Sequence, residues 1–122
     1  MEANEKISIR EDIIFKLISF SGDARSRIYE AYDMVRNGEY DKAEENLKKA
    51  DEAIIQAHNV QTGLIHKEAS GIHMEMSLLM VHAQDHLMST LLAKDMVKDM
   101  ISMQKEINEL KKEVIKGGNK DK

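Results

Sequence analysis

Hydrophobic positions recur at steps of three and four residues in three long blocks, separated by two glycine-containing breaks, and this pattern predicts three helices. In the first block Ile13, Leu17, Phe20, Ala24, Ile28, Ala31 and Val35 form one stripe. Ser8-Ile9-Arg10-Glu11 precedes it and reads as a capping box, in which Ser8 and Glu11 satisfy orphan backbone N–H groups at the helix start. Asn37-Gly38 tolerates positive φ and ends the block. The second block carries Tyr40, Ala43, Leu47, Ala50, Ile54, Ala57, Gln61 and Leu64 in a heptad-like seam that only Gln61 breaks. A polar residue at such a position fixes register or faces a cleft. Ser70-Gly71 separates this helix from a third, expected over about residues 72–114.

The third block has more than one apolar stripe. Ile72, Met76, Leu79, Ala83, Ala93, Val97, Met100, Ile107 and Val114 are expected to pack within the chain. Leu78, Val81, Asp85, Met88 and Leu92 form a second stripe, and Met80, Leu87 and Leu91 extend the apolar surface further round. Two companion helices cannot cover a helix that is apolar on nearly all sides, so the second stripe is expected at a self-association interface. The expected fold is an all-α, antiparallel three-helix bundle in one domain over residues 1–122. Residues 1–7 and 116–122 are expected to be short flexible tails.

Composition agrees. There are no prolines, only three tyrosines and two phenylalanines, and 122 residues suffice for one core. The net charge of −4 is spread along the chain, so no basic stripe offers itself to nucleic acid. Cysteine is absent, which excludes a disulfide framework and suits a reducing compartment. No segment approaches the ~20 apolar residues of a membrane span, and the charged N-terminus lacks an apolar signal segment. These features lead us to expect a soluble, cytoplasmic protein.

Chemistry concentrates where polar groups interrupt the third block. With about 100° between successive residues, Asp85 falls about 60° from His82 on the side of the self-association stripe. His86 falls about 40° to the other side, and His82 therefore occupies the seam between two interfaces, the place for a groove between subunits. Copies of Asp85 meeting on a symmetry axis would repel one another and call for a hard cation such as Mg²⁺. The plainer alternative is one polar interruption that sets oligomer state. His82 has three readings: a satisfied core histidine, a metal ligand paired with His86, or a nucleophile that accepts a phosphoryl group while His86 orients it. The H-E-x-x-H zinc motif fails because Ala83 stands where its Glu would be. Most of the nine methionines lie between Met74 and Met103 and read first as flexible core filler, or else as an adaptable docking surface.

The string Val81-His82-Ala83-Gln84-Asp85-His86-Leu87-Met88, with Ala57-His58-Asn59-Val60-Gln61-Thr62 and Glu68-Ala69-Ser70-Gly71, resembles the lactose/cellobiose-type enzyme IIA of the bacterial phosphoenolpyruvate-dependent sugar phosphotransferase system. The resemblance spans the chain. It implies a homotrimer, a nine-helix bundle, whose His82 takes a phosphoryl group from the phosphocarrier HPr and passes it to a cysteine of the IIB component. The link to the membrane-embedded IIC component is indirect, and the sugar is a β-disaccharide of the lactose, cellobiose or chitobiose class. It further implies Asp85 on the trimer axis with one Mg²⁺, and supporting roles for Gln84 and His86. Gly63 departs from the family, where a larger residue is common, and so puts local packing in question. A helical oligomerisation module, or a metal-binding bundle using His82 and His86, is the alternative.

Overall fold

A computed structural model describes residues 9–120 of the chain, and the two glycine breaks divide three helices: α1 (Glu11–Arg36), α2 (Tyr40–Ala69) and α3 (Leu78–Lys120). Both breaks close their helix in the same way. Gly38 takes φ 78°, which lets its N–H donate to the Val35 carbonyl at 3.0 Å and the Glu39 N–H donate to Met34 at 2.8 Å. Gly71 takes φ 101°, with its N–H on Glu68 and the Ile72 N–H on Lys67, both at 3.1 Å. A side chain is strained at such angles, so glycine is required at these two turns.

The chain runs up, down and up. Asn46 of α2 reaches back to the Arg27 carbonyl, making α2 antiparallel to α1. Contacts between α1 and α3 advance together, from Ser21–Thr90 through Tyr32–Gln104 to Val35–Asn108, so these two helices are parallel. Both α2 and α3 pack along α1, whereas they meet each other at few places. One is the Lys94–Asp51 ion pair at 2.7 Å. The core has two parts, one around Ala24, Ile28, Ala50 and Val97 and the other around Leu17, Ala57, Met80 and Leu87, bridged by Phe20 and Leu91. Small residues on the facing sides of α1 and α2, among them Ala24, Ala31, Ala43, Ala50 and Ala57, let these helices approach closely.

The face of α3 that meets α1 is Met80, Ala83, Leu87, Thr90, Val97, Ile101 and Gln104, all buried. Lys94 and Asn108 complete its 3-4-3-4 spacing. Four of these nine are polar, so an apolar-only count selects the wrong stripe: Ile72, Met76, Met100, Ile107 and Val114 are exposed, while Met80 and Leu87 are core. The same effect appears in α1, where fully buried Ser21 occupies the seam and Phe20 is half-buried, and where Ile14 rather than Ile13 is buried. Two boundaries also differ from expectation. Helix α3 begins at Leu78 because Ser77 caps it, its Oγ accepting from the Met80 N–H at 3.1 Å. At the other end α3 continues past Lys116 to Lys120, with Glu109–Lys112 and Glu113–Lys116 pairs along its last turns. Ser8, and with it the capping box, lies outside the described residues; Arg10 occupies the N-cap without a side-chain capping bond.

Polar bonds peg α3 in rotation. The Thr90 hydroxyl donates to the Ser21 carbonyl at 2.9 Å in a fully buried layer. Nearer the α1–α2 turn, Tyr32 OH donates to Gln104 Oε1 at 3.0 Å, Gln104 Nε2 donates to Asn108 Oδ1 at 3.0 Å, and Asn108 Nδ2 donates to the Val35 carbonyl at 2.8 Å and to Tyr40 OH at 3.0 Å. Asn108 thus joins all three helices. Replacing Asn108 by Ala leaves Gln104 and Tyr40 short of a partner and is expected to cost about 1–3 kcal/mol in urea unfolding at fixed protein concentration, against ±0.5 kcal/mol or less for exposed Lys112→Ala.

Candidate functional site

The rotational setting of α3 decides where the histidines and the aspartate go. Taking Ala83 and Ile101 as the inward direction, His86 stands about 60° off it and His82 about 100° off on the same side, while Asp85 is about 160° away. Burial follows these angles: His86 is half-buried, His82 and Asp85 exposed.

The two imidazoles meet. Their Nε2 atoms are 3.1 Å apart, with ring centroids at 4.5 Å and planes at 90°. An N–H···N bond needs one protonated and one bare nitrogen. The other nitrogen of His86, Nδ1, is buried without a hydrogen-bond partner. A buried N–H with no acceptor is the rarer arrangement in proteins, so we assign the His86 proton to Nε2. His82 Nε2 is then the bare nitrogen, held by its neighbour's N–H on an exposed edge of the helix. Such a nitrogen is a nucleophile near neutral pH.

Gln84 and Asp85 do not join this pair within one chain. Gln84 lies on the opposite flank of α3, where its Oε1 accepts a hydrogen bond from Gln61 Nε2. That bond explains the polar break in the α2 seam: Gln61 ties α2 to α3 where these helices otherwise scarcely touch. Beyond Gln84 lies an apolar pocket of about 390 Å³ lined by Leu64, Ile65, Met74, Met76 and Met80. Asp85 is the only charged member of the exposed stripe Leu78, Val81, Met88 and Leu92. Among the described residues no three His, Cys, Asp or Glu side chains converge as a metal site, so the His82–His86 pair lacks the third ligand a zinc centre would need from the same chain. A single carboxylate on an apolar face fits a hard cation only where further copies bring their own.

Sequence reasoning missed Ser77 as the α3 cap and Asn108 as a peg. Serine three residues before a buried position was the available signal for the first, and Asn108 carries none without knowing that Val35 sits opposite. Of the methionines between Met74 and Met103, only Met80 is buried, which corrects the expectation of core filler; Met76, Met88, Met96, Met100 and Met103 are exposed. In this short surface set the thioethers line a pocket and an uncovered helix face.

The chain is thus a small all-α bundle that presents an exposed imidazole, His82, at a helix edge beside half-buried His86. The chain belongs to the lactose/cellobiose-specific IIA family of the sugar phosphotransferase system: the model of "PTS system, Lactose/Cellobiose specific IIA subunit" matches residues 12–105, a stretch that includes His82, Gln84, Asp85 and His86. It is 46% identical over 91 residues to the lactose-specific EIIA component of Streptococcus mutans, covering 75% of this chain and 88% of the relative. The fold is similar to the crystal structure of the cellobiose-specific enzyme IIA of Bacillus anthracis, with TM-score 0.77, 43% identity, and coverage of 80% of this chain and 90% of that one. It is also similar to the chitobiose IIA solved in complex with HPr from Escherichia coli, with TM-score 0.68, 34% identity, and coverage of 80% and 95%.

Gly63, where local packing was in question, faces open space. It lies exposed within α2, and an added Cβ would meet nothing within 4 Å. Gly63→Ala is therefore expected to raise stability by about 0.5–1 kcal/mol through helix propensity, read as a higher urea midpoint at unchanged slope.

Proposed function

We propose that this chain is the cytoplasmic phosphocarrier of a sugar phosphotransferase system, accepting a phosphoryl group on His82 Nε2 from HPr and passing it to a cysteine of the IIB component. The sugar served is a β-disaccharide of the lactose, cellobiose or chitobiose class, taken up through the membrane IIC component. The observation that carries this is the exposed His82, whose Nε2 lies 3.1 Å from His86 Nε2. Its place within the family-matched stretch gives that geometry its chemistry. A relative solved in complex with HPr supports HPr as the donor. No helix among the described residues is long and apolar enough to cross a membrane.

The chemistry asks little covalent work of the protein. In the first transfer the bond from phosphorus to its donor breaks as the bond to His82 Nε2 forms; in the second, that P–N bond breaks as a P–S bond forms. Both displacements need in-line approach and relief of charge on the equatorial oxygens. His82 meets the approach condition by standing at an exposed edge, where partners can dock in turn. His86 meets the charge condition: when phosphorus takes the His82 lone pair, the His86 Nε2–H turns from that nitrogen to a phosphoryl oxygen. Half-buried His86 stands one helical turn away, so its N–H has only to swing from the His82 nitrogen to the oxygen beside it.

The working assembly is a homotrimer with α3 helices at its centre. Supporting it is the exposed apolar stripe Leu78, Val81, Met88 and Leu92, which α1 and α2 leave uncovered and which water disfavours as a contiguous patch. Asp85 of each copy then faces the axis, and together the three carboxylates would hold one Mg²⁺. That ion would neutralise their mutual repulsion, on a different face of α3 from the one that carries His82.

Two variants test these assignments. Incubated with enzyme I, HPr and phosphoenolpyruvate, the wild type is expected to gain an acid-labile, base-stable phosphate that His82→Ala lacks entirely, while His86→Ala is phosphorylated about 10²-fold more slowly. Retention of the full label by His82→Ala would remove the assignment. Asp85→Leu is expected to keep the trimer in sedimentation and lose Mg²⁺, and its dissociation to monomers would contradict the axial placement.

A further inference from the structure

Of the five histidines, only His82 and His86 stand four residues apart, one above the other on a single helix edge. Two imidazoles at this spacing can grip one metal ion. Zinc binds imidazole nitrogen at about 2.0–2.1 Å, and two such bonds at an angle between about 90° and about 109° hold their nitrogens roughly 2.9–3.4 Å apart. The Nε2 atoms of His82 and His86 already lie 3.1 Å apart. The helix backbone therefore has no distance to make up. The rings stand at 90° to one another, and exposed His82 has room to turn its lone pair toward an ion shared with half-buried His86.

The type of donor selects the type of ion. Neutral imidazole suits zinc, copper and nickel, whereas Mg²⁺ seeks carboxylate and water oxygens. Asp85 and the histidine pair thus divide hard from borderline ions between two faces of α3. No third His, Cys, Asp or Glu converges on the pair among the described residues, so this is not a closed structural centre. Water at the exposed edge completes the coordination, and the ion is exchangeable.

We infer that His82 and His86 reversibly chelate one divalent ion of the zinc, copper and nickel class through their Nε2 atoms, and that an ion bound there blocks phosphoryl transfer. The ion takes the place of the proton between the two nitrogens. That proton moves from His86 Nε2 to His86 Nδ1, so both rings stay neutral and each gives one lone pair to the metal. Nδ1 is buried without a hydrogen-bond partner, and carrying a proton there weakens the site, which keeps the binding reversible. The block follows because the ion and phosphorus need the same lone pair on His82. Chelation rests on the geometry alone; the block rests on the reading of His82 Nε2 as the phosphoryl acceptor.

The probe is zinc chloride, titrated calorimetrically into the full chain in buffer already holding excess Mg²⁺. One zinc per chain is expected, bound at least about tenfold more weakly by His86→Gln and by His82→Ala, since each leaves a single imidazole. His66→Ala, which removes an exposed histidine of α2, is expected to bind as the wild type does. In ¹⁵N-histidine spectra zinc is expected to convert His86 Nδ1 from a bare to a protonated nitrogen. Unchanged zinc affinity in both His86→Gln and His82→Ala would overturn the site and leave the phosphoryl assignment untouched. For the block, transfer from HPr phosphorylated beforehand and freed of enzyme I is followed with and without saturating zinc. The wild type is expected to slow at least about tenfold and His86→Gln, at the same zinc concentration, by much less. Zinc held by both histidines with no slowing of the wild type would overturn the block, and with it the reading of His82 Nε2 as acceptor, while chelation stands.

Discussion

Everything functional in this chain depends on the rotation of α3 about its own axis. Each residue step turns a helix by about 100°, so a small error in the setting exchanges buried for exposed faces. Apolar contact alone would hold it loosely, because α3 is apolar on several sides. What sets the angle is polar: Thr90 on the Ser21 carbonyl and Asn108 on the Val35 carbonyl, about five turns apart, are directional bonds that only one rotation satisfies. The cost of leaving buried carbonyls and amides unpaired penalises every other rotation. These pegs both fall on α1, the helix that α2 and α3 share.

With the angle set, one helix presents three different surfaces. Its inward face is core, and its outward face is an apolar stripe with Asp85 in it. The edge between them carries His82, with His86 tucked behind. The proposed phosphoryl acceptor benefits from this position: His82 is exposed at the edge, with half-buried His86 one turn away. The opposite edge carries Gln84, bonded to Gln61 of α2, and that bond supplies one of the few ties between the two helices that flank α1. The alignment of Gln84 with His82 in sequence therefore does not bring them together in space. Two residues apart on a helix, they point some 160° apart.

The helix count, both glycine turns and the exposure of the Leu78–Leu92 stripe were legible from spacing, because each follows from local rules of periodicity and φ. The His82–His86 contact was legible too, since residues four apart on a helix meet. What was not legible was which stripe of α3 is core, because Thr90, Lys94, Gln104 and Asn108 belong to it and count as polar. Their partners, Ser21, Asp51, Tyr32 and Val35, lie on other helices, and no local rule pairs them. The start of α3 was misplaced for a related reason: Ile72 and Met76 are apolar at the right spacing, but Ser77 caps the helix after them. The phosphoryl chemistry came from resemblance to a family and not from spacing.

The central claim is that His82 Nε2 is the atom that carries phosphate, beside a neighbour whose proton is assigned to Nε2. Phosphorus–nitrogen correlation NMR on ¹⁵N-histidine-labelled protein, phosphorylated through HPr, reads that atom directly. A single phosphorus resonance coupled to Nε2 of His82, with His86 in its Nε2–H form, is the expected result. Phosphorus coupled to Nδ1 of His82, or to any nitrogen of His86, would contradict the account.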